Sequence, residues 1–416
     1  MGRISRRTWL LSTGALACVP LWGAVGCGPT VNTGATEDRT PRVRVKLIGD
    51  TSDIQLGASG EPLVKAGSDA SPRRVQLGSG VRVTLSNGRW QVGSVGFGSG
   101  ELSLTPGTGP ISLNGVNYRG SFRLVPSGSG STFDVINDVD LDGYLKSVVS
   151  KELYRLWDDE TYMAQTIVAR TYALYELKTT GQGRGWDVYA DTRSQVYGGL
   201  DAETSKSRSA VENTSGVVVV YGVTGREKIF KAYFSSSCGG VTQSAADAFN
   251  DAWSQPLSDR NNGSLCNASP RFNWGPVSVD KTELTRRIKL WGQRKDRAVQ
   301  NLTDVARIDV QAANRFGRPV RFMVTDARGT RYSLGGEELR WAVNTDAPDR
   351  DTTLFSSFCR IINDDATRTI RFVDGHGHGH GVGMCQWCAQ AMAEKGVRHE
   401  DIVIRSFSGA KLARAY

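Results

Sequence analysis

The sequence predicts an α+β protein: an antiparallel, β-rich first third followed by a mixed α/β region. Three observations carry that expectation. Short runs in the first third alternate apolar and polar residues, most clearly in Arg42-Val43-Arg44-Val45-Lys46-Leu47, and a period of two is the signature of a half-buried strand. Glycine supplies 48 of 416 residues and clusters with Ser, Asn and Pro between those runs, as the turns of many short strands require. Near Asp140 the apolar spacing lengthens to that of a helix, with Leu141, Leu145, Val148 and Val149 on one face.

Taken in order, residues 1–27 read as a targeting segment and stand outside the fold. Arg3, Arg6 and Arg7 form a basic head, an uncharged stretch runs from Thr8 to Gly26, and Cys27 ends it. Ser5-Arg6-Arg7-Thr8-Trp9-Leu10 looks like a twin-arginine export signal, which a receptor reads as an address. Ala24-Val25-Gly26-Cys27 resembles a lipoprotein processing site, with small residues before a cysteine that becomes lipidated. A plain signal peptide with an incidental cysteine and a signal anchor are the other readings, and Pro20 and the glycines disfavour an anchor. The expected place is therefore outside the cytoplasm, in the cell envelope, on a lipid at Cys27. Residues 28–42 are polar and rich in Pro, Gly and Thr, a tether.

Residues 43–135 form the β-rich region, with strands expected at Val81–Leu85, Trp90–Val92, Glu101–Leu104, Tyr118–Val125 and Phe133–Val135. Residues 136–416 form the mixed region. A second helix there is capped by Asp158 or Asp159, carries Met163, Ile167, Leu174 and Leu177 as its stripe, and stops before Gly181. A short helix follows over Ala202–Thr214, then a hairpin of Val217–Tyr221 with Ile229–Phe234. Residues 280–300 read as a basic helix, 305–334 as strands, Glu337–Val343 and Gln386–Lys395 as short helices.

The formal charge is +9, but the leader holds three arginines and no acid, so the mature chain is only modestly basic. That favours an anionic polymer without demanding one. No zinc-finger spacing and no dense basic helix is present, so no nucleic-acid partner is expected. Seven cysteines stand at 18, 27, 238, 266, 359, 385 and 388. Five remain after the leader and Cys27, an odd number, so at least one is free, metal-bound or paired between chains. Export favours disulfides, with Cys238 and Cys266 the preferred pair. Cys385-Gln-Trp-Cys388 has CxxC spacing, which suits a redox pair or half a zinc site but lacks a partner CxxC.

Chemistry concentrates in Leu141–Leu174. Glu152 follows the apolar pair Val148-Val149, and Arg170 comes eighteen residues later within Ala169-Arg170-Thr171-Tyr172. A carboxylate against apolar side chains has its charged form disfavoured and drifts toward general-acid use. An arginine in reach would orient it or hold an anionic group of a substrate. Glu160 and Asp142 read as caps or surface charges.

At these residues the chain resembles the SpoIID/LytB family, named for stage II sporulation protein D and an amidase enhancer. Four blocks agree in order: Glu152 with Ala164-Gln165 and Ala169-Arg170-Thr171-Tyr172; Ser194-Gln195-Val196-Tyr197-Gly198-Gly199; Ala232 to Thr242; and Gly379-His380-Gly381-Val382-Gly383-Met384-Cys385-Gln386. The resemblance implies a SpoIID-like catalytic region over 136–416 and a lytic transglycosylase acting on peptidoglycan glycan strands, with Glu152 as acid and base. It needs no cofactor and no metal. It implies that Arg170, Tyr172, Gln195, Tyr197, His380 and Gln386 bind substrate or support Glu152, although core packing is an equal reading of Tyr172, Gln195 and Tyr197. Gly239 and Gly240 read as a tight turn.

The chain departs from the family at His376-His378-His380, where alternate histidines on an extended segment would face one side, and at Cys385 and Cys388, where small residues are common. Metal at the histidines is disfavoured by their flanking glycines, and His380 is expected near Glu152. A second function class is a non-catalytic wall-binding lipoprotein that stimulates a cell-wall amidase, as the enhancer branch suggests. A thiol or metal protein built on the CxxC ranks last, because no thioredoxin-like βαβ unit surrounds it.

Overall fold

A computed structural model describes residues 40–128, 130–179 and 181–416. The leader, Cys27 and most of the tether lie outside the described residues. Among the described residues no helix is long and apolar enough to cross a membrane. The fold is α+β, as the alternating runs and the later helical spacing require.

The first third is two facing sheets. One has the order Val188–Tyr189, Arg42–Thr51, Thr132–Asp140, Ser121–Ser127, Leu102–Thr105, Leu63–Ala66, Arg73–Arg74. The other runs Val116–Tyr118, Ile111–Leu113, Asp53–Ala58, Gly78–Ser86, Arg89–Val92, Val95–Phe97. Alternate residues of both enter one core: Val43, Val45, Phe122, Leu124, Phe133 and Val135 from the first, Ile54, Leu56, Val83, Leu85 and Trp90 from the second. The strand expected over Tyr118–Val125 is broken at Arg119-Gly120 into two, one for each sheet, and Gly120 takes a positive φ there. The boundary expected at 135/136 falls inside Thr132–Asp140, a central strand that leads directly into the first helix. Val188–Tyr189 then returns from the later region to add in parallel to Arg42–Thr51. Sheet and helices therefore share a core rather than meeting at a linker.

Among the described residues eight helices follow: α1 (Leu141–Glu152), α2 (Asp159–Lys178), α3 (Ser205–Asn213), α4 (Ala245–Phe249), α5 (Lys281–Arg294), α6 (Gly336–Asn344), α7 (Gln386–Ala393) and α8 (His399–Ser406). Asp140 caps α1 by accepting from the Gly143 amide at 2.7 Å, and Asp158 caps α2. The stripe expected on α2 is only part of its burial. Ile167 and Leu174 are buried, but so are Gln165, Thr166, Arg170 and Thr171 on its other sides. Helix α2 is the centre of the region, not an amphipathic cover. Val217–Tyr221 pairs with only Lys228–Ile229 on one side, and Lys411–Arg414 takes its other edge. The rest of the expected hairpin strand breaks away, and Phe234–Ser235 pairs in parallel with Met384–Cys385.

Residues 277–373 build a unit with its own core. Strands Val277–Asp280, Thr369–Val373 and Arg360–Asp364 form one sheet, and Val305–Ala313, Pro319–Asp326 and Arg331–Gly335 another, packed with α5 and α6. The chain leaves for this unit after Cys266 and returns from it before Cys385.

Arg170 is where the helical region is tied. Its side chain is fully buried. Its Nε donates to the Tyr416 hydroxyl at 2.9 Å, Nη1 to the Val217 carbonyl at 3.2 Å, and Nη2 to Asp142 and the Val211 carbonyl, both at 3.3 Å. Tyr416 in turn donates to Asp142 at 2.8 Å. One guanidinium thus joins α1, α2, α3, the strand after α3 and the C-terminus. Removing a buried cation from such a network strands an anion and several carbonyls, which costs about 3–5 kcal/mol. We expect Arg170→Met to lower unfolding free energy by about that amount and Tyr416→Phe by about 1 kcal/mol, both measured by urea denaturation. A loss below about 1 kcal/mol in Arg170→Met would deny Arg170 this role.

Candidate functional site

Glu152 is the last residue of α1, and Leu153 leaves the helix in extended conformation. The inner face of α1, Leu141, Tyr144, Leu145, Val148 and Val149, is fully buried, which fixes the helix and aims its C-terminal end at the site. The Ser194–Gly199 loop lies across that end. Its Val196 amide donates to Glu152 Oε1 at 3.1 Å, and its Gly198 amide donates to Ser147 Oγ at 3.0 Å. Gln195 anchors the loop from below, accepting from the Tyr144 hydroxyl at 3.2 Å and donating to the Ala169 carbonyl at 3.4 Å.

The fourth block arrives from α7. The Gln386 side chain donates to Gln165 Oε1 at 3.4 Å and lies near enough to Glu152 to lower its pKa. Helix α7 is held against α2 by Gln390, whose Oε1 accepts from the Asp158 amide at 3.0 Å and the Thr161 hydroxyl at 2.9 Å. Three blocks distant in sequence therefore meet at one carboxylate.

The electrostatics disfavour the charged form of Glu152. Burial raises its pKa above the ordinary carboxylate value, and the Val196 amide and the Gln386 side chain offset this only in part. The negative end of the α1 dipole acts in the same direction as burial. No second carboxylate is among the groups that shift it. Asp142 is committed to Arg170 and Tyr416. Glu160 accepts from the His399 amide at 2.6 Å, tying α2 to α8.

The loop that leaves Glu152 carries part of an aromatic cluster that the sequence reading missed. Tyr154, Trp157 and Trp387 pack against one another, with ring centroids 4.9 to 5.7 Å apart. Tyr154 is 59% exposed and Leu156 93% exposed. The signal was available in Leu153-Tyr-Arg-Leu-Trp157, an apolar run on a loop directly after the glutamate.

Several expected site residues face elsewhere. Arg170 does not reach Glu152, since its hydrogen bonds serve the tie described above. Tyr197 is buried against Tyr118 and Tyr144, and its hydroxyl donates to Asn137 Oδ1 at 2.9 Å, so it packs the core. Gln195 supports the loop and does not line an open surface; it is 1% exposed. Tyr172 is buried too, near Ser194 and set against Tyr233. His380 contacts Tyr233 and Phe249, and its Nδ1 accepts from the Val382 amide at 3.0 Å. Burial pushes its pKa down to about 4, against the nearby Glu337 carboxylate. His380 is not among the groups that act on Glu152. Of the expected site residues, only Gln386 is among the groups that act on Glu152.

The histidine tract does not form a row. Gly377, Gly379 and Gly381 all take positive φ, so the segment is not extended. His376 packs on Phe358, His378 on Phe355 and His380 on Tyr233. Gly239 does make the expected tight turn, at φ 64°, and a Cβ there would meet the Gly377 nitrogen at 2.6 Å.

The expected disulfide is also absent. Cys238, Cys266, Cys385 and Cys388 are all free, and Cys238 and Cys266 have their sulfurs 3.6 Å apart against about 2.05 Å in a disulfide. All four sulfurs lie within 4.8 Å of one another. The CxxC does have a partner pair, contributed by two cysteines far apart in sequence. Cys359 is the odd one, buried in the core of the inserted unit.

A raised Glu152 pKa has a consequence for stability. The folded protein holds the proton to higher pH than the unfolded chain, whose ordinary value is 4.5. The stabilisation is complete below that pH and is lost as pH rises through the folded value. Glu152→Gln is therefore expected to melt higher than wild type at neutral pH. The difference should close below pH 4.5, as read by thermal denaturation across pH. A constant difference at every pH would exclude burial of the charge as its source.

Comparison with known proteins bears on this site. The family model described as SpoIID, stage II sporulation protein, matches residues 129–221, which include α1, Glu152, α2 and the Val196 loop. An uncharacterized protein of Brachyspira hyodysenteriae is 29% identical over 310 residues, covering 73% of this chain and 74% of that protein. The amidase enhancer of Bacillus subtilis is 25% identical over 336 residues, covering 73% of this chain; the chain spans 45% of the enhancer's length. An uncharacterized protein of Chlamydia muridarum is 28% identical over 188 residues, 43% of this chain and 65% of that one. With four ordered sequence blocks, three of which converge on one carboxyl, these matches support the resemblance to the SpoIID/LytB family.

Proposed function

We propose that the protein is a peptidoglycan lytic transglycosylase, cleaving the bond between N-acetylmuramic acid and N-acetylglucosamine with Glu152 as general acid and then general base. The observation that carries this reading is a carboxyl with raised pKa that accepts from the Val196 amide and is acted on by Gln386. It is followed closely in the chain by Tyr154 and Trp157, which cluster with Trp387, and Tyr154 is exposed. A two-carboxylate hydrolase needs a second acid to activate water or attack the sugar. This site offers one.

One is enough when water takes no part. Protonated Glu152 gives its proton to the bridging oxygen as the bond to the muramic C1 breaks. The resulting carboxylate is stabilised by the Val196 amide and the Gln386 side chain. It then takes the proton of the C6 hydroxyl, whose oxygen closes on C1 as a 1,6-anhydro ring. Glu152 ends protonated again, so the cycle consumes no proton and no water. Tyr154, Leu156 and Trp387 supply apolar faces against which sugar rings can lie.

The experiment is mass spectrometry of muropeptides after incubation with protein lacking residues 1–27. Wild type should release anhydro-muropeptides, and folded Glu152→Gln should lose on the order of 10² to 10⁴ in rate. Near wild-type release by that variant would sink the assignment. Gln386→Leu removes a donor to the anion, so the Glu152 pKa rises further. The alkaline limb of the rate profile should then move to higher pH. Turnover should survive chelator treatment of the folded protein, because proton transfer needs no Lewis acid.

A second reading is favoured by one observation, the name of the Bacillus subtilis relative. In it the chain binds the wall and stimulates an amidase. No anhydro product together with a faster amidase rate, unaffected by Glu152→Gln, would select it.

We also propose export to the cell envelope through Ser5–Leu10 and anchoring by lipid on Cys27, on the sequence signals alone. Labelled fatty acid should appear on the wild-type protein and not on Cys27→Ala. Arg6→Lys with Arg7→Lys should leave precursor in the cytoplasm. Label absent from wild type would remove the anchor.

A further inference from the structure

We propose that Cys238, Cys266, Cys385 and Cys388 bind one zinc ion as a tetrathiolate, and that the ion fixes the Cys385–Cys388 turn which presents Gln386 and Trp387 to Glu152. The second half rests on the role proposed for Glu152. The first does not.

The sulfur geometry is that of a tetrahedral site. Zinc–thiolate bonds of about 2.3 Å at tetrahedral angles put neighbouring sulfurs roughly 3.8 Å apart. Cys238 lies 3.6 Å from Cys266 and 3.8 Å from Cys388, and all four sulfurs fall within 4.8 Å of one another. Every member is buried. Four buried thiols drawn from three separate segments have no packing reason to point at one centre, and among the described residues this is the only all-cysteine group of this kind. Tetrahedral all-sulfur coordination selects zinc or iron–sulfur chemistry, and a closed set of four protein ligands is that of a structural zinc.

The surroundings are those of bound thiolates. Cys385 Sγ accepts from the Cys238 amide at 3.3 Å and, as the cap of α7, from the Cys388 amide at 3.4 Å. Asn262 Nδ2 donates to Cys238 Sγ at 3.4 Å. Such donors hold sulfur ligands in place and spread their charge. A zinc tetrathiolate carries a net charge of about −2, which needs compensation when buried. Two guanidiniums supply it. Arg260 lines a cleft with Cys385 and Cys388, and Arg318, fully buried, donates to the Cys238 carbonyl at 3.3 Å and also faces Glu337. Arg260 Nη1 and Arg318 Nε are buried with no hydrogen-bond partner. A doubly negative centre would add to the Glu337 and Asp259 charges already acting on these two cations and give their unpaired nitrogens a partner. A cleft lined by Arg260, Asn262, Cys385 and Cys388 gives an ion a way in.

The position gives the ion a task. Gln386 and Trp387 sit between two of its ligands; Gln386 acts on the Glu152 carboxyl, and Trp387 packs on Tyr154 and Trp157. Cys238 and Cys266 come from the other side of the inserted unit, so the ion would clamp the chain where it leaves for and returns from residues 277–373. Gln386 is then a positioning residue that the ion holds.

The test begins with elemental analysis of the full chain purified from cells supplied with zinc, iron and copper. One zinc per chain is expected. Cys266→Ser, remote from Glu152, should weaken zinc binding by more than about 100-fold, beyond the loss from an outer partner. Should that variant fail to fold, cobalt(II) substituted into wild type gives an independent reading, with thiolate charge-transfer and tetrahedral ligand-field bands expected. Absence of zinc together with absence of those bands, one iron in place of zinc, or a folded protein lighter by the two hydrogens of a disulfide among these four would each overturn the site. For the second half, the Glu152 carboxyl is titrated by ¹³C NMR, a readout that needs no turnover. Loss of zinc should shift it upward as Gln386→Leu does, and the two changes together should add nothing. Additive shifts would show that the ion does not act through Gln386, leaving the site itself and the transglycosylase reading untouched.

Discussion

The helical region depends on one buried cation. Arg170 cannot be hydrated where it sits, so each of its donors must find an acceptor inside the protein. Those acceptors come from α1, α3, the strand Val217–Tyr221 and the final residue Tyr416. Satisfying the guanidinium therefore fixes the position of α1 relative to α2. It is α1 that ends in Glu152. The arginine sets the stage for the carboxyl without touching it, which explains how an Ala-Arg-Thr-Tyr block can mark a site from which its arginine is absent.

The carboxyl itself is a balance of opposed effects. Burial and the helix end push its pKa up, while the Val196 amide and Gln386 pull it back. A carboxyl left wholly unpaired would be too weak an acid to give up its proton, and one held by several donors would be permanently ionised. The Val196 amide and Gln386 oppose the rise that burial alone would give, which is the balance the proposed acid-then-base cycle calls for.

What the sequence disclosed follows from what a motif can encode. Alternation revealed the strands, because Val43, Val45, Phe133 and Val135 must reach one core whatever the topology. Glu152 and the loop carrying Val196 were legible because their spacing is local to one helix and one turn. Direction was not legible. Tyr197 and Arg170 lie in the right blocks, yet they point inward, since α2 is buried on all sides and a stripe of Met163, Ile167, Leu174 and Leu177 reveals only one of them. His380 was misplaced for a similar reason. Positive φ at three glycines turns the tract, so the alternation of its histidines says nothing about a shared face. Tyr154 and Trp387 were overlooked because aromatic residues on loops carry no period at all.

The cysteines show the limit most sharply. Read along the chain, Cys385 and Cys388 are a lone CxxC, and Cys238 and Cys266 an exported pair that ought to be oxidised. Their meeting depends on the parallel pairing of Phe234–Ser235 with Met384–Cys385 and the bridge between Ser237 and His378. No local pattern announces such a pairing, because a whole unit with its own core is inserted between the strands. The long insertion is also the reason a clamp is needed there. Loop closure over so long a segment carries an entropic cost that a two-residue strand pair offsets poorly. Four thiols at the base of the insertion, gathered at metal distance, place the strongest available cross-link at the point where the chain must come back to the glutamate.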